Sequence, residues 1–163
     1  MSRACVFLDR DGVINEKPPR GEYVTSWQDF RIIPAAIDWI RLFNALDLLV
    51  VVVTNQRGVA LGLMTEADLE DIHRRMLESL ATAGANIDRV YYCAHRENSC
   101  DCRKPQPGMI LRARSELDID LGRSLMIGDS DIDEELARCC GLKFVRADEG
   151  RVLAVITPAP APF

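Results

Sequence analysis

The sequence lacks any apolar run that approaches the roughly 18 residues needed to cross a membrane. It also lacks an apolar segment of the signal-peptide type, because Met1 to Arg3 lead directly into an apolar strand pattern. Positive charge is not in excess, since 20 Lys and Arg residues against 25 Asp and Glu residues give a formal net charge of −5. These absences argue against a membrane protein and against a nucleic-acid-binding protein. We therefore predict a cytoplasmic protein with no membrane or nucleic-acid partner, and we expect it to be a monomer.

An internal repeat and a segment large enough for a cap domain are also missing. The chain has 163 residues, of which 48% are hydrophobic and 28% charged, the composition of an ordinary globular domain. Between Asn15 and Thr54 the irregular part is 16–30, which is too short for a large cap domain. We predict one domain over residues 1–156, followed by a Pro- and Ala-rich tail at 157–163 that cannot pack regularly.

Apolar strand patterns alternate with helical patterns along the chain. Short apolar runs predict strands at 5–8, 48–53, 87–93, 124–127 and 142–145, and 152–156 is a candidate edge strand. Periodic apolar residues predict helices at 34–46, 65–83, 108–117 and 132–140, and Thr65 and Asp68 resemble a capping box. In the first helix the predicted apolar face comprises Ala36, Ile37, Ile40, Leu42, Phe43 and Leu46. The alternation predicts an α/β fold, a Rossmann-like three-layer sandwich with a mostly parallel sheet of about five strands.

Four of the predicted strands lead into polar residues. Asp9 and Asp11 follow the first strand, Thr54 follows the second, Lys104 lies beyond the third, and Asp129 follows the fourth. In an open parallel sheet such ends meet at one edge, where ligands collect. Two carboxylates as close as Asp9 and Asp11 repel each other, so the pair indicates a hard divalent cation such as Mg²⁺ together with a phosphate. Taken singly, each residue also suits an ordinary role as a turn former, a cap or a surface charge.

Four potential metal ligands lie within ten residues: Cys93, His95, Cys100 and Cys102. Three thiolates and one imidazole complete a tetrahedral Zn²⁺ site, and a zinc without an open coordination position is structural. A disulfide is the alternative, but Cys100 and Cys102 would bridge poorly across one residue, and His95 would have no role. The remaining cysteines are interpreted as reduced, buried, small hydrophobic residues: Cys5, Cys139 and Cys140.

Together, the strand-end residues resemble the four motifs of the haloacid dehalogenase superfamily. The matching stretches are Asp9 to Asn15, Thr54 to Gln56, Lys104-Pro105 and Gly128-Asp129, in the order and spacing of that family. The Cys-x-His pair followed by Cys-Asp-Cys-Arg-Lys-Pro is similar to one branch of it. That branch comprises the D-glycero-D-manno-heptose 1,7-bisphosphate phosphatases and the related histidinol-phosphate phosphatases. The resemblance covers residues 4–146.

The resemblance implies a hydrolase of phosphoric monoesters, and the chemistry of the residues agrees with it. Asp9 would attack phosphorus to form an aspartyl-phosphate, and Asp11 would act first as the acid and then as the base. Mg²⁺ would be held by the Asp9 carboxylate, the main-chain carbonyl of Asp11, and Asp129. Thr54 and Lys104 would neutralise the phosphate oxygens. Two further acidic residues are interpreted as helix-capping or supporting residues: Asp131 and Asp133.

Substrate specificity is expected to come from short loops, and the candidate substrate-binding residues are Tyr23, Asn55 and Arg103. The expected substrate is a small phosphorylated metabolite. The first choice is D-glycero-D-manno-heptose 1,7-bisphosphate, which would lose its 7-phosphate, and the second is histidinol phosphate. The short loop 96–99 is closer to the histidinol-phosphate branch, whereas Ala94 replaces a proline that is usual in both. A non-catalytic, zinc-stabilised binding module is the alternative of another class.

Overall fold

A central sheet covered by helices organises the chain, of which the structure, a computed structural model, describes residues 1–148 and 151–152. The strands are β1 (Cys5–Leu8), β2 (Leu49–Asn55), β3 (Arg89–Cys93), β4 (Leu125–Gly128), β5 (Lys143–Asp148) and β6 (Arg151–Val152). The helices are α1 (Pro34–Ala45), α2 (Arg57–Ala60), α3 (Glu66–Thr82), α4 (Gly108–Leu117) and α5 (Asp131–Cys139). Two 3₁₀ turns lie at Trp27–Asp29 and Leu121–Arg123. The predicted alternation is confirmed, while α2 and the 3₁₀ turns are too short to produce an apolar period.

The sheet has the strand order β3-β2-β1-β4-β5-β6. Its first five strands are parallel, with Val6 opposite both Val50 and Leu125, and β6 pairs antiparallel with β5. The predicted mostly parallel sheet of about five strands is therefore confirmed. Strand β6 begins one residue before the predicted edge strand; the rest of that segment, 153–156, and the predicted tail, 157–163, lie outside the described residues.

Helices cover both faces of the sheet, which explains the continuous apolar runs of its strands. Successive residues of β1 point to opposite faces: Val6 and Leu8 pack with α1 and α3, whereas Cys5 and Phe7 pack with α4 and α5. The result is a three-layer α/β sandwich, as predicted. None of the described helices is long and apolar enough to span a membrane.

Local signals define the helix starts. Pro34 lies in the first turn of α1, where its missing N–H costs no hydrogen bond. Thr65 caps α3 and exchanges hydrogen bonds with Asp68 in a capping box, as predicted. The same motif, formed by Ser130 and Asp133, begins α5, so the prediction that Asp133 caps a helix is also confirmed.

Two predictions of burial are wrong. Leu42 and Leu46 of the predicted α1 face are 55% and 61% exposed, because they lie well around the helix from Ala36 and Ile40, which contact the core. Cys139 is exposed and Cys140 only partly buried, since both fall at the end of α5, beyond its buried turn. Cys5 is buried in β1, as predicted.

The order of the strands places a switch point between β1 and β4, because the chain moves from β1 to β2 on one side and later returns to β4 on the other. Ligands bind outside the carboxyl ends of strands at such a point. Between β1 and α1 the structure has one 3₁₀ turn, Trp27–Asp29, and no large cap domain, in agreement with the sequence. The described segment that follows β1 is therefore a short loop, which leaves the carboxyl ends of β1 and β4 without a covering domain.

Candidate active site

Lys104 links two carboxylates at the switch point. Its Nζ atom lies 2.9 Å from Asp9 Oδ1 and 2.7 Å from Asp133 Oδ1. The Lys104 and Asp133 side chains are 4% and 0% exposed, and that of Asp9 is 13% exposed. The structure thus brings together the predicted nucleophile and the predicted lysine, which are far apart in the sequence. Asp133 combines its capping role with a buried ion pair that the sequence pattern does not indicate.

Burial and neighbouring charges shift the pKa values of Asp9 and Lys104 in opposite directions. Burial raises the pKa of Asp9 to about 7, against the Lys104 charge, which lowers it; Asp133 and Asp11 add to the rise. For Lys104, burial lowers the pKa, but Asp9 and Asp133 outweigh it and raise the pKa above its ordinary value. Lys104 therefore stays charged, and positive charge beside Asp9 favours the ionised form of its carboxylate.

Asn55, at the end of β2, holds the main chain of Lys104. The Asn55 Nδ2 atom donates to the Lys104 carbonyl at 3.1 Å, and the Lys104 N–H donates to Asn55 Oδ1 at 3.0 Å. This two-point contact fixes the backbone from which the lysine side chain extends. The geometry accounts for Asn55 as a support of Lys104, and the prediction that it also binds substrate stays a prediction.

The Asp11 carboxylate is turned toward N–H donors. Its oxygens accept hydrogen bonds from Arg10, Asn15 and Gln56 at 2.9–3.1 Å. Burial alone would raise the pKa of Asp11, but these donors, with the Arg10 charge foremost, outweigh it and hold the pKa below its ordinary value. The two aspartates of the first motif therefore lie in opposite electrostatic environments.

Arg10 is a charged residue that is fully buried, with an exposure of 0%. Its guanidinium pairs with Asp11, lies over the Phe30 ring at 5.6 Å, and has Nη1 3.1 Å from His73 Nε2. Burial, followed by the Arg10 charge, lowers the pKa of His73 to about 3. His73 is therefore neutral at physiological pH. Since Arg10 has no acceptor atom, Nε2 of His73 must accept the hydrogen bond.

Thr54 is buried at the end of β2, with an exposure of 1%. Its hydroxyl oxygen accepts a hydrogen bond of 2.9 Å from Gln56 Nε2, and the same nitrogen donates to Asp11 Oδ2 at 3.1 Å. Gln56 is itself 2% exposed, and its main-chain N–H donates to the Cys93 carbonyl. The amide of Gln56 thus connects the predicted phosphate-binding hydroxyl with the predicted acid.

Three carboxylates converge beside Gly12. Oxygen atoms of Asp9, Asp129 and Asp133 lie within 4.8 Å of one another. Gly12 has φ of +86°, and a Cβ atom there would lie 2.3 Å from Asp129 Oδ2, so the backbone approaches the carboxylate as only glycine permits. Lys17 Nζ lies 2.6 Å from the same Oδ2 atom. Hard carboxylate oxygens are the donors that Mg²⁺ prefers, so the three carboxylates fit the predicted ion.

The predicted zinc ligands also converge. Cys93, His95, Cys100 and Cys102 offer atoms within 4.8 Å of one another. The Cys93 and Cys100 sulfurs are 3.5 Å apart, and His95 Nδ1 lies 3.2 Å from the Cys102 sulfur. Zn–S bonds of roughly 2.3 Å in a tetrahedron require ligand separations of about this size. None of these cysteines forms a disulfide, which agrees with a metal site rather than with the alternative.

Arg103 and Tyr23 are the remaining residues that the sequence predicts to bind substrate. Arg103 is 17% exposed, lies 3.8 Å from Glu97, and has a buried Nη1 atom without a hydrogen-bond partner among the described residues. Arg57, in α2, pairs with the same Glu97 at 2.9 Å. The Tyr23 ring packs beside Gly58 of α2. Its contact with substrate stays a prediction.

Five residues of the site lie outside the sequence prediction: Arg10, Asn15, Lys17, Gln56 and His73. A signal exists for four of them, because Arg10, Asn15 and Gln56 stand inside the motifs, and His73 occupies an inward position of α3 between Leu69 and Met76. Lys17 lies in an irregular loop, where no pattern indicates that it contacts a residue 112 positions away.

Comparisons with known proteins agree with this geometry. A family model described as HAD-hydrolase-like matches residues 101–154. A D-glycero-beta-D-manno-heptose-1,7-bisphosphate 7-phosphatase of Rhodopseudomonas palustris is 41% identical over 148 residues, which cover 86% of this chain and 81% of that protein. The D-glycero-alpha-D-manno-heptose-1,7-bisphosphate 7-phosphatase of Mycobacterium bovis is 44% identical over 135 residues, covering 82% of this chain and 70% of the relative.

A solved structure is similar over nearly the whole chain. It is D,D-heptose 1,7-bisphosphate phosphatase from B. bronchiseptica, complexed with magnesium and phosphate. It superposes with a TM-score of 0.83 and 34% sequence identity, covering 91% of this chain and 83% of the other. By these similarities the chain belongs to the haloacid dehalogenase-like hydrolases, in the family of the heptose 1,7-bisphosphate 7-phosphatases.

Proposed function

We propose that this chain is a Mg²⁺-dependent phosphatase that removes the 7-phosphate of D-glycero-D-manno-heptose 1,7-bisphosphate through an aspartyl-phosphate at Asp9. The observation that carries the proposal is the buried contact of 2.9 Å between Asp9 and Lys104 at the switch point of the sheet. Membership of the family supports the substrate, because the relatives bear the names of enzymes for its beta and alpha anomers.

Asp9 attacks phosphorus in its ionised form. Burial raises the pKa of Asp9 to about 7 even beside the Lys104 charge, which lowers it, so the ionised carboxylate depends on positive charge nearby. The Asp9 carboxylate, the main-chain carbonyl of Asp11 and the Asp129 carboxylate would hold Mg²⁺. When bound, the ion supplies further positive charge that stabilises the ionised nucleophile and reduces its repulsion of an anionic phosphate.

Asp11 transfers the proton. It protonates the sugar oxygen that departs from phosphorus, and it then accepts a proton from the water that hydrolyses the aspartyl-phosphate. Its side chain suits this role, because the carboxylate is held by Arg10, Asn15 and Gln56 and does not join the group of three converging carboxylates.

Thr54 and Lys104 bind the transferred phosphoryl group, whose negative charge they offset. Arg103 lies further out and binds the remainder of the substrate. Its buried Nη1 atom, which has no hydrogen-bond partner among the described residues, supports this assignment. A buried guanidinium N–H suits a hydroxyl or a second phosphate of the sugar.

We also propose that Cys93, His95, Cys100 and Cys102 bind a structural Zn²⁺. The close approach of their sulfur and nitrogen atoms supports the site. Arg103 and Lys104 follow the last ligand directly, so an ordered loop aligns both. Because three thiolates bind zinc only in their reduced state, the proposal places the enzyme in a reducing compartment such as the cytoplasm.

The experiment compares phosphate release from both anomers of heptose 1,7-bisphosphate, from histidinol phosphate and from simple sugar phosphates. We expect the highest kcat/KM for one heptose bisphosphate anomer, with a 1-phosphate product in phosphorus NMR. Asp9→Asn is the control and should lose at least about a thousandfold in activity. Preference for histidinol phosphate would overturn the substrate assignment, and no Mg²⁺-dependent release from any ester would favour the binding module.

A further inference from the structure

The two oxygens of the Asp11 carboxylate have unequal numbers of donors. Oδ1 accepts hydrogen bonds from Arg10 Nε at 3.1 Å, from Arg10 Nη2 at 2.9 Å and from Asn15 Nδ2 at 2.9 Å. Among the described residues, Oδ2 accepts one hydrogen bond, from Gln56 Nε2 at 3.1 Å. A carboxylate oxygen has two lone pairs, so three donors saturate Oδ1, whereas these residues leave one lone pair of Oδ2 free.

Arg10 contacts Asp11, His73 and Phe30, and it fixes the position of Asp11 Oδ1. Its guanidinium directs Nε and Nη2 to Asp11 and Nη1 to the neutral His73, and its Cζ atom lies over the Phe30 ring. A fully buried guanidinium is costly unless it is paired and hydrogen-bonded. The charge of Arg10 is paired with Asp11, and this buried ion pair fixes the orientation of the Asp11 carboxylate.

Gln56 defines the direction of Oδ2. Because a carboxylate only accepts, the amide nitrogen of Gln56, not its oxygen, must face Asp11. The second hydrogen of that nitrogen is directed to Thr54 Oγ1 at 2.9 Å. Thr54 therefore accepts from Gln56 and keeps its own hydroxyl hydrogen for a phosphate oxygen. One amide nitrogen thus sets the position of the proton-transfer oxygen relative to the phosphate-binding hydroxyl.

We propose that Oδ2 of Asp11 is the atom that gives and takes the proton, and that Arg10 and Gln56 are the positioning residues that assign it. The inference rests on the proposed function and deepens it. In the first step the bond between phosphorus and the sugar oxygen breaks, an Asp9 oxygen bonds to phosphorus, and the proton of Oδ2 passes to the sugar oxygen. In the second step water gives a proton to Oδ2 while its oxygen bonds to phosphorus, and Asp9 leaves as a carboxylate.

A series of phosphate esters with leaving groups of different pKa tests this division of roles. Protonation matters for an alkyl leaving group and little for an activated one such as 4-nitrophenolate. Single-turnover release of the leaving group isolates the first step, since hydrolysis of the aspartyl-phosphate also uses Asp11. The variants are Gln56→Met, which removes the amide, and Arg10→Lys, which keeps the charge but loses the two-point contact with Oδ1.

We expect both variants to lose roughly 100-fold with alkyl esters, the size of effect that misplacement of a catalytic group produces, and little with the nitrophenyl ester. A plot of log rate against leaving-group pKa should thus be steeper than for the wild type. Lys104→Met is the matched comparison: it acts on the transferred group, so it should lower all rates with the slope unchanged.

The possible outcomes distinguish a failure of the positioning roles from a failure of the proposed function. Equal losses for all leaving groups in Gln56→Met and Arg10→Lys, or no loss in either, would overturn the positioning roles and leave the phosphatase intact. Inactivity of the wild type towards every ester would instead overturn the proposed function. Circular dichroism and melting temperatures of each variant show whether it is folded; if Arg10→Lys unfolds, the slope of the Gln56→Met variant decides the inference.

Discussion

Lys17 Nζ donates to Asp129 Oδ2 at 2.6 Å, so an ammonium group lies on a carboxylate that is predicted to bind Mg²⁺. The Lys17 side chain is 56% exposed and that of Asp129 12% exposed, so the lysine can leave the carboxylate without unfolding the loop. The contact gives Asp129 a positive partner. A cation that binds there must displace the ammonium or share the carboxylate with it.

The first prediction is that Lys17→Met tightens Mg²⁺ binding. An exposed ion pair contributes at most about 1 kcal/mol, so its loss should lower the dissociation constant by up to roughly fivefold. Calorimetric titration of Mg²⁺ into the ion-free protein measures it, with Lys17→Arg as the control that keeps the charge. Weaker binding by Lys17→Met would show that the lysine supports the ion rather than competes with it.

The second prediction distinguishes two costs of replacing Gly12 by alanine, the strain of the backbone and the steric clash of the added Cβ atom. Gly12 and Gly21 both have positive φ, +86° and +89°, but a Cβ atom at Gly12 would lie 2.3 Å from Asp129 Oδ2, whereas none of the described atoms lies within 4 Å of one at Gly21. Gly21→Ala should therefore cost only the strain, about 1–2 kcal/mol. Gly12→Ala should cost more and should also weaken Mg²⁺ binding.

Urea denaturation and Mg²⁺ titration of the two variants provide the test. If Gly12→Ala binds Mg²⁺ as tightly as Gly21→Ala does, the close approach of the Gly12 backbone to Asp129 has no functional consequence.

The third prediction concerns pH and His73. The folded protein keeps His73 neutral, with its pKa lowered from 6.5 to about 3, first by burial and then by Arg10. Below pH 6.5 the unfolded chain therefore binds a proton that the folded chain does not. This contribution is fully present above pH 6.5 and is lost as the pH falls toward 3, at about 1.4 kcal/mol per pH unit for one group.

At pH 5 the loss from His73 should be about 2 kcal/mol relative to pH 7.5. His73→Gln keeps an acceptor for Arg10 but does not titrate, so its free energy of unfolding should fall less between these two pH values. Urea titrations at both pH values measure the difference. Equal pH dependence of the wild type and the variant would mean that His73 titrates normally in the folded protein.

The fourth prediction separates the two metals by the softness of their ligands. Three thiolates and an imidazole suit Zn²⁺, whereas the carboxylates near Gly12 suit Mg²⁺. Mild chelation that removes Mg²⁺ should stop turnover reversibly and leave one zinc per chain. Cys100→Ala should lose the zinc and, because Lys104 follows the loop, also lower activity in saturating Mg²⁺.

Cys139→Ala is the matched control, since this cysteine is exposed and lies outside the cluster. Metal analysis of protein purified under reducing conditions decides the outcome. An absence of zinc in the wild type, or full activity of Cys100→Ala, would contradict the site and its support of Lys104.

The strands and their terminal residues could be predicted from the sequence because both are local signals. A run such as Val50 to Val53 indicates a strand that is buried on both faces, and the polar residue that follows it must lie at the edge of the sheet. The capping box of Thr65 and Asp68 is equally local, as its partners are three residues apart. In each case the deciding contact falls within one element or at its end.

The supports of the site could not be predicted, because they depend on contacts between distant elements. The pairing of Lys104 with Asp133 requires the loop after β3 and the start of α5 to meet beside β1. The contact of Arg10 with His73 joins the loop after β1 to α3, and the exposure of Leu42 depends on which side of α1 meets the sheet. Periodicity indicates an apolar face but not the neighbour that covers it.

In the proposed mechanism Asp9 becomes covalently phosphorylated, and this intermediate can be trapped. Heptose 1,7-bisphosphate and Mg²⁺ are mixed with the enzyme, the reaction is stopped with acid within one turnover, and the peptides are mapped by mass spectrometry. We expect a phosphoryl group on the Asp9 carboxylate and none in Asp9→Asn, which should also be inactive. Turnover without a phosphorylated Asp9, together with an active Asp9→Asn variant, would contradict the proposed mechanism.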